Sequence, residues 1–493
     1  MGHAKAGDVG GDTAEWCGLM ALYLSLGAVG FMVFLLLQPK VKALISFFLM
    51  MNFFNIAPDK VLNVYAWDYG AILMLVTAAE LCFRQPALEP RNHTYLTVLK
   101  VFLAWLFICF SWSLVIYQYP IMHTIKNARY MLVGYSMTLI YIRLFSVQTE
   151  AFEFLMKWFY RLTFVMMPVF VLQYVLKTPL LFTQIGDYEG SLRAIPGFLP
   201  LCLLNFWIVL ARFLSSERLA VHEWIYAALV LITVALTYTR GIYLALIFTG
   251  GLLVFTMSRD RTLNAASMLR AVLAAIVVVT VLLASGVATK VVGRAANGLE
   301  MLETSSSTSG HRKDDTFSGR LGLAAERFSL AWAQNPLIGY GFLHEEDVSA
   351  DLRNGLKYGT PLSGTAADPT AFSRFDADGH YTLGFYTADI AWADIVISTG
   401  WVGVALLIAL VLTFVLEHYR NTGGIHPLGY AVRTGLFLQL AMTFLLMFDG
   451  DSFYGNLQIP AFLLAGYSLT REHGVRAKSA LAVMQMRPPN LMT

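Results

Sequence analysis

Charge is the scarcest property of this sequence. Asp, Glu, Lys and Arg make up 14% of its 493 residues, against roughly a quarter in ordinary soluble domains. With 57% apolar residues and a mean hydropathy of +0.60, a soluble fold could not cover its surface with polar groups. A string of soluble domains is excluded, and an integral membrane protein is implied. No charge of one sign dominates either. The 35 basic residues face 32 acidic ones, a net +3, so no global field invites nucleic acid. Cysteine is nearly missing. Cys17, Cys82, Cys109 and Cys202 all lie in apolar runs without the spacing of a zinc or redox site, and are expected to be small buried hydrophobes. The opening stretch MGHAKAGDVGGDTAEW lacks a basic region before the first apolar run, so it does not read as a cleaved signal peptide.

What the chain has in quantity is apolar runs able to cross about 30 Å of hydrocarbon. They fall near 16–38, 43–57, 64–83, 95–118, 128–147, 153–176, 197–215, 222–239, 241–257, 268–288, 390–417, 430–448 and 455–470. The second and last are short, and the 239/241 boundary is the least secure. The expectation is an all-α polytopic membrane protein of about twelve or thirteen transmembrane helices, apolar on most faces as bundle helices are. Lys and Arg set the orientation. With the tail of Arg471, Arg476, Lys478 and Arg487 inside, the inner side also collects Lys40, Lys42, Arg84, Arg91, Lys157, Arg161, Arg212, Arg218, Arg259, Arg261 and Arg420. Outside the long segment described next, the other side holds Lys5, Lys60, Lys126, Arg129, Lys177, Arg193 and Arg240.

The long segment is the one compositional break. Residues 289–388 carry nine basic and twelve acidic residues, with a flexible stretch, ETSSSTSGHRKDD, near the start. A structureless loop of that length is unusual, so a small external cap is expected. The chain therefore divides into an N-terminal transmembrane bundle (1–288), an external loop domain (289–388), C-terminal transmembrane helices (389–470) and a cytoplasmic tail (471–493).

Four arginines fall at the outer face: Arg129 opening a span, Arg193 in GSLRAIPGF, Arg240 in TYTRG and Arg320 in SGRLGLAAERF. Guanidinium is a planar, permanently charged fork that suits phosphate oxygens. Several converging at the lipid–water boundary would suit a diphosphate held there by its own lipid tail. Each one singly could instead be a snorkelling side chain or half of a salt bridge. The stretch 318–342, SGRLGLAAERFSLAWAQNPLIGYGF, reads as an amphipathic helix ended by Pro336, Gly339 and Gly341.

An Arg after Ser-Gly, a helix bearing Trp332, then Pro-Leu-x-Gly-x-Gly resembles the external-loop signature of the O-antigen polymerase/ligase family of bacterial membrane glycosyltransferases. GSLRAIPGF resembles that family's earlier external-loop Arg, and TYTRGIYLALIF its Thr-x-Ser-Arg-Gly segment at a span end. ADIAWADIVISTGWVG resembles the segment after the long loop, where a polar residue precedes a Gly-x-x-Gly pair by about three helical turns. The resemblance covers roughly residues 185–417 and rests on order, spacing and sidedness together.

The resemblance implies a GT-C-like enzyme of the bacterial inner membrane, with its active site on the periplasmic side and no metal or other cofactor. Its donor would be an undecaprenyl-diphosphate-linked oligosaccharide and its acceptor a glycan or lipid A–core. Membrane lipid surrounds it, and a chain-length regulator is a further partner the family admits; nucleic acid is not one. Arg193 and Arg320 resemble the arginines that hold the donor diphosphate, Arg240 the one at the membrane face, with Arg129 a further candidate. Many members place a His about eleven residues before the first glycine of Gly-x-x-Gly. Here that position is Asp389, either the base that takes the acceptor's proton or an N-cap of the following span. His380 is a second candidate base or an ordinary loop histidine.

Other polar clusters read more plainly. Asp449 and Asp451 imitate an Asp-x-Asp metal motif but fit a polar turn between spans. Asp376, Asp378 and His380 have no established ligand spacing. Asp68 and Glu80 could share a helix face as a polar lock to a neighbouring helix. The sequon at Asn92 maps to the inner side. Polymerase of lipid-linked repeats is the leading expectation, since the family's His is missing. Ligase is the alternative, and a lipid-linked sugar flippase is disfavoured by the large cap.

Overall fold

The structure is a computed structural model. It describes residues 27–51, 60–61, 64–84, 93–148, 150–176, 178, 180, 186–188, 191–193, 195–215, 217–237, 239–270, 272, 317–356, 384–386, 390–420, 427–447 and 458–468. Their order is α1 (Gly27–Leu36), α2 (Pro39–Met51), β1 (Lys60–Val61), β2 (Val64–Tyr65), α3 (Ala66–Arg84), α4 (Thr94–Val115), α5 (Ile121–Val147) and α6 (Ala151–Leu176). There follow β3 (Gly186–Tyr188), β4 (Ser191–Arg193), α7 (Leu199–Leu214), α8 (Val221–Leu236) and α9 (Arg240–Arg259). Then come α10 (Phe317–Gln334), α11 (Ala350–Asn354), α12 (Ala391–Arg420), α13 (Pro427–Leu446) and a helix over 458–468.

The fold is an all-α polytopic membrane bundle, with two antiparallel hairpins, β1–β2 and β3–β4, between helices. Among the described residues, seven helices are long and apolar enough to cross a membrane: α3, α4, α5, α6, α9, α12 and α13. The shorter α1, α7 and α8 are also apolar. The boundary between α8 and α9 falls where the sequence divides them. The expected span 268–288 lies almost wholly outside the described residues.

The packing separates interior helices from peripheral ones. Phe83 is 91% exposed and Ile247 70%. Exposed apolar side chains recur along α1, α4, α6 and α9, a surface suited to lipid rather than water. The helix at 458–468 is buried throughout. Its Phe462 lies between 5.1 and 6.0 Å, ring centre to ring centre, from Phe47, Tyr141, Phe145, Phe152 and Phe159. Cysteines follow the same division. Cys109 and Cys202 are buried as expected, but Cys82 is exposed beside Phe83, so for that residue the expectation of burial is corrected.

Cross-helix contacts define two ends of the bundle. At one, Lys40 meets Glu150 at 3.3 Å and Lys42 meets Glu80 at 2.5 Å. Arg212 pairs with Glu217 at 2.7 Å and also with Glu223, while Glu417 receives His93 at 3.2 Å and the Thr94 amide. At the other end, the end of α4, the start of α5 and the break in α12 meet the chain that follows α10. The antiparallel run of helices puts the start of α9 and the β3–β4 hairpin at this second end.

Candidate active site

The centre of the second end is a break in a helix. Within Ala391–Arg420, Gly400 has φ 64° and ψ −170°, dividing α12 into two helices. This left-handed region is open to glycine and strained for other residues. A Cβ at Gly400 would overlap the Leu337 carbonyl oxygen, and one at Gly339 (φ 69°) would overlap the Ile397 oxygen. Two backbones approach so closely only where both lack side chains.

The break frees backbone groups that membrane interior would leave unsatisfied. The turn after α10 takes them up. Tyr340 N donates to Ile397 O at 2.8 Å, and Trp401 N to Pro336 O at 3.0 Å. Trp105 Nε1 donates to Thr399 O at 2.9 Å, and the Tyr117 hydroxyl to Gly339 O at 2.8 Å. Ser113 Oγ accepts from Phe342 N at 2.8 Å and donates to Cys109 O at 2.7 Å. Asn335 Oδ1 accepts from Leu337 N at 3.0 Å. The Pro-Leu-x-Gly-x-Gly and Gly-x-x-Gly segments, read from sequence as separate motifs, are the two halves of one interlock.

A second set of contacts fixes the chain returning from the long segment. Arg327 is fully buried and donates through Nε to Phe385 O at 2.9 Å and through a terminal nitrogen to Gly384 O at 3.1 Å. Glu326 meets it at 2.6 Å. Across the same strip, the Glu345 carboxylate accepts from Phe385 N at 2.9 Å and Tyr386 N at 3.2 Å, and Arg353 holds that carboxylate at 2.8 Å. The Tyr386 hydroxyl donates to Leu343 O at 2.6 Å, an oxygen that Asn127 also donates to at 2.7 Å. Residues 384–386 are thus clamped on both sides. Burial pulls the Arg327 pKa down, against the charges of Glu326, Asp394 and Glu345. Burial also pushes the Tyr386 phenol far up.

The candidate arginines divide. Arg193 ends β4, its Cα paired with that of Gly186; Arg240 is the first residue of α9; Arg320 lies in the first turn of α10. The side chains of these three lie outside the described residues, as do Asp389, His380, Asp376, Asp378, Asp449 and Asp451. Arg129 needs correction. It does not open a span but stands about two turns into α5. Its Nε is 3.0 Å from Asp68, its guanidinium donates to Tyr130 Oη at 2.9 Å, and it lies over that ring at 4.7 Å. Its charge is balanced inside the bundle by a residue of α3. Asp68 and Glu80 are indeed locks, but to different helices, α5 and α2.

Sequence reasoning missed Arg327, Asp394, Glu345 and Asn127. A signal for Arg327 was present: it falls between Leu323 and Ala331 on the buried face of α10, where a cation at four-residue spacing from apolar neighbours needs a partner. Asp394 likewise is an acid 3% exposed within an apolar span, a position costly enough to suggest a role. Glu345 and Asn127 carried no such mark. Among the described residues, His123, His344 and Glu346 bring possible metal-binding atoms together beside the interlock.

No curated protein matches the chain. Residues 225–408 match the family model described as O-antigen ligase. That stretch contains Arg240, Arg320 and both halves of the interlock, while Arg193 and Arg129 precede it. Through residues 225–408 the chain is similar to the O-antigen ligase family, in agreement with the resemblance carried by its sequence motifs.

Proposed function

We propose that this protein polymerises undecaprenyl-diphosphate-linked oligosaccharide repeats into a surface polysaccharide, O-antigen or exopolysaccharide, on the periplasmic face of the inner membrane. One observation supports the reading above the others. The backbone positions of Arg193 and Arg240, at the end of a hairpin and the start of a helix, belong to the end of the bundle that holds the interlock, and Arg320 stands one turn before Leu323, which packs on Ile390 and Ala393 at the start of α12. Fixed guanidinium groups there would receive the diphosphate as it leaves. Charge that develops in the transition state is stabilised by cations already in place, and the start of α9 adds its partial positive charge. The acceptor oxygen bonds to the sugar carbon, the bond to the diphosphate breaks with its electron pair, and the acceptor's proton passes to Asp389 or His380. Arg129, balanced by Asp68, is left out of the diphosphate set.

Arg320→Lys tests this reading. It keeps the charge but loses the paired donors, and loss of a donor aimed at developing charge costs roughly 10²–10³ in rate. Expected are loss of polymer, accumulation of lipid-linked single repeats and a normal amount of protein in the membrane. Near-normal polymer from Arg320→Lys would remove this residue from the site. The family description favours a second reading, transfer of finished glycan to lipid A–core. Lipopolysaccharide from a deletion strain separates the two: core carrying one repeat indicates a polymerase, bare core a ligase.

A further inference from the structure

Beside the interlock, two histidines from distant parts of the chain meet. His123 lies in the first turn of α5. His344 follows the Gly339–Gly341 turn and caps the 3₁₀ turn Glu345–Asp347. Their rings stack with centroids 4.8 Å apart and planes at 27°. Both nitrogens of His123 face carboxylates. Nδ1 is 2.9 Å from both oxygens of Asp347, and Nε2 is 3.2 Å from Glu346 Oε2. The same Glu346 oxygen is 3.8 Å from His344 Nδ1. One donor atom from each of His123, His344 and Glu346 lies within 4.8 Å of the others.

We propose that His123, His344 and Glu346 bind a zinc ion that pins the start of α5 to the segment following the interlock. Two neutral imidazoles and one carboxylate are the donor set zinc prefers, whereas magnesium and calcium take oxygen. At zinc–ligand distances of about 2.0–2.1 Å, tetrahedral geometry puts neighbouring donors roughly 3.3–3.4 Å apart. The 3.2 Å between His123 Nε2 and Glu346 Oε2 fits that edge. Asp347 supplies what a zinc-bound histidine ordinarily has, a carboxylate on the other ring nitrogen. It fixes the proton on Nδ1 and leaves the Nε2 lone pair for the metal. A fourth position remains for water. The ion joins His123 to His344 and Glu346, ligands from distant parts of the chain, and it is structural, separate from the transfer chemistry.

The test uses the full-length protein in detergent, carrying a tag without histidine and stripped of metal. Zn²⁺ titrated against a chelator of known affinity should bind one equivalent per chain and raise the thermal midpoint, with Mg²⁺ and Ca²⁺ failing to compete. Co²⁺ in its place should give the intense visible absorption of a four-coordinate site. His344→Gln and Glu346→Gln should abolish the stoichiometric binding, and Asp347→Asn should weaken it about 10–100-fold. Wild-type protein that binds no equivalent of Zn²⁺, or shows no four-coordinate Co²⁺ spectrum, overturns the proposal without recourse to any variant. Undiminished binding by folded His344→Gln overturns it equally.

Discussion

The two ends of the bundle use polar residues in opposite ways. At the end away from the interlock, side chain mostly meets side chain: Lys40 with Glu150, Lys42 with Glu80, Arg212 with Glu217 and Glu223, His93 with Glu417. These contacts tie helix to helix or turn, and leave most helical backbones regular. At the interlock end, side chains hold irregular backbone. Trp105, Ser113, Tyr117, Asn127, Arg327 and Glu345 all bond main-chain groups of loops or of the broken α12. A helix satisfies its own amides and carbonyls, whereas a broken one must borrow partners. The irregular end therefore needs more polar support.

Gly400→Ala should break that contrast most severely. The left-handed backbone alone costs about 1–2 kcal/mol for an L residue, and the added Cβ overlaps the Leu337 oxygen. Little monodisperse protein should survive size-exclusion chromatography, and no glycan transfer should remain. Arg327→Lys comes next. One ammonium cannot reproduce the fork that reaches both Gly384 and Phe385, and each buried carbonyl left without its donor costs about 1–3 kcal/mol. Transfer should fall even at temperatures where the variant remains folded, because residues 384–386 lose one side of their clamp.

The opposite end should respond in stability alone. Glu80→Gln leaves the buried Lys42 without its carboxylate, which should lower the thermal midpoint by an amount corresponding to about 3 kcal/mol, while the transfer rate per folded molecule stays unchanged. Lys42→Met combined with Glu80→Gln should recover most of the loss. If Glu80→Gln abolishes transfer by folded protein, the division between the ends is wrong. Lys40→Ala marks the bottom of the scale. Its partner Glu150 is 81% exposed, so the change should be within about 1 kcal/mol.

Much of this was legible beforehand. Apolar runs located the helices, the Lys and Arg distribution separated two ends, and short motifs carried the family. Boundaries were less secure. Arg129 resembles a span opener in sequence because Ile121–Ala128 contains His123, Lys126 and Asn127, whose polarity hides the first two turns of α5. The hairpins were not read at all, since strands of two or three residues leave no periodic trace. The buried cation Arg327 has a visible signature in sequence, a charge on the apolar face of an amphipathic helix.

The sequence by itself determined that the chain enters a membrane, where its long apolar helices lie among the described residues and which family residues 225–408 resemble, because hydropathy and short motifs are local properties. Only the tertiary structure decided what the charges do. Whether an arginine is balanced like Arg129 or spent on backbone like Arg327 depends on a partner tens or hundreds of residues away. The same holds for Gly339 and Gly400, which sequence offers as turn and helix residues. Their shared requirement, two backbones in contact, exists only once α12 breaks against the turn that follows α10. Coulomb interactions and hydrogen bonds act over a few ångströms in space, and spacing along the chain does not encode that distance.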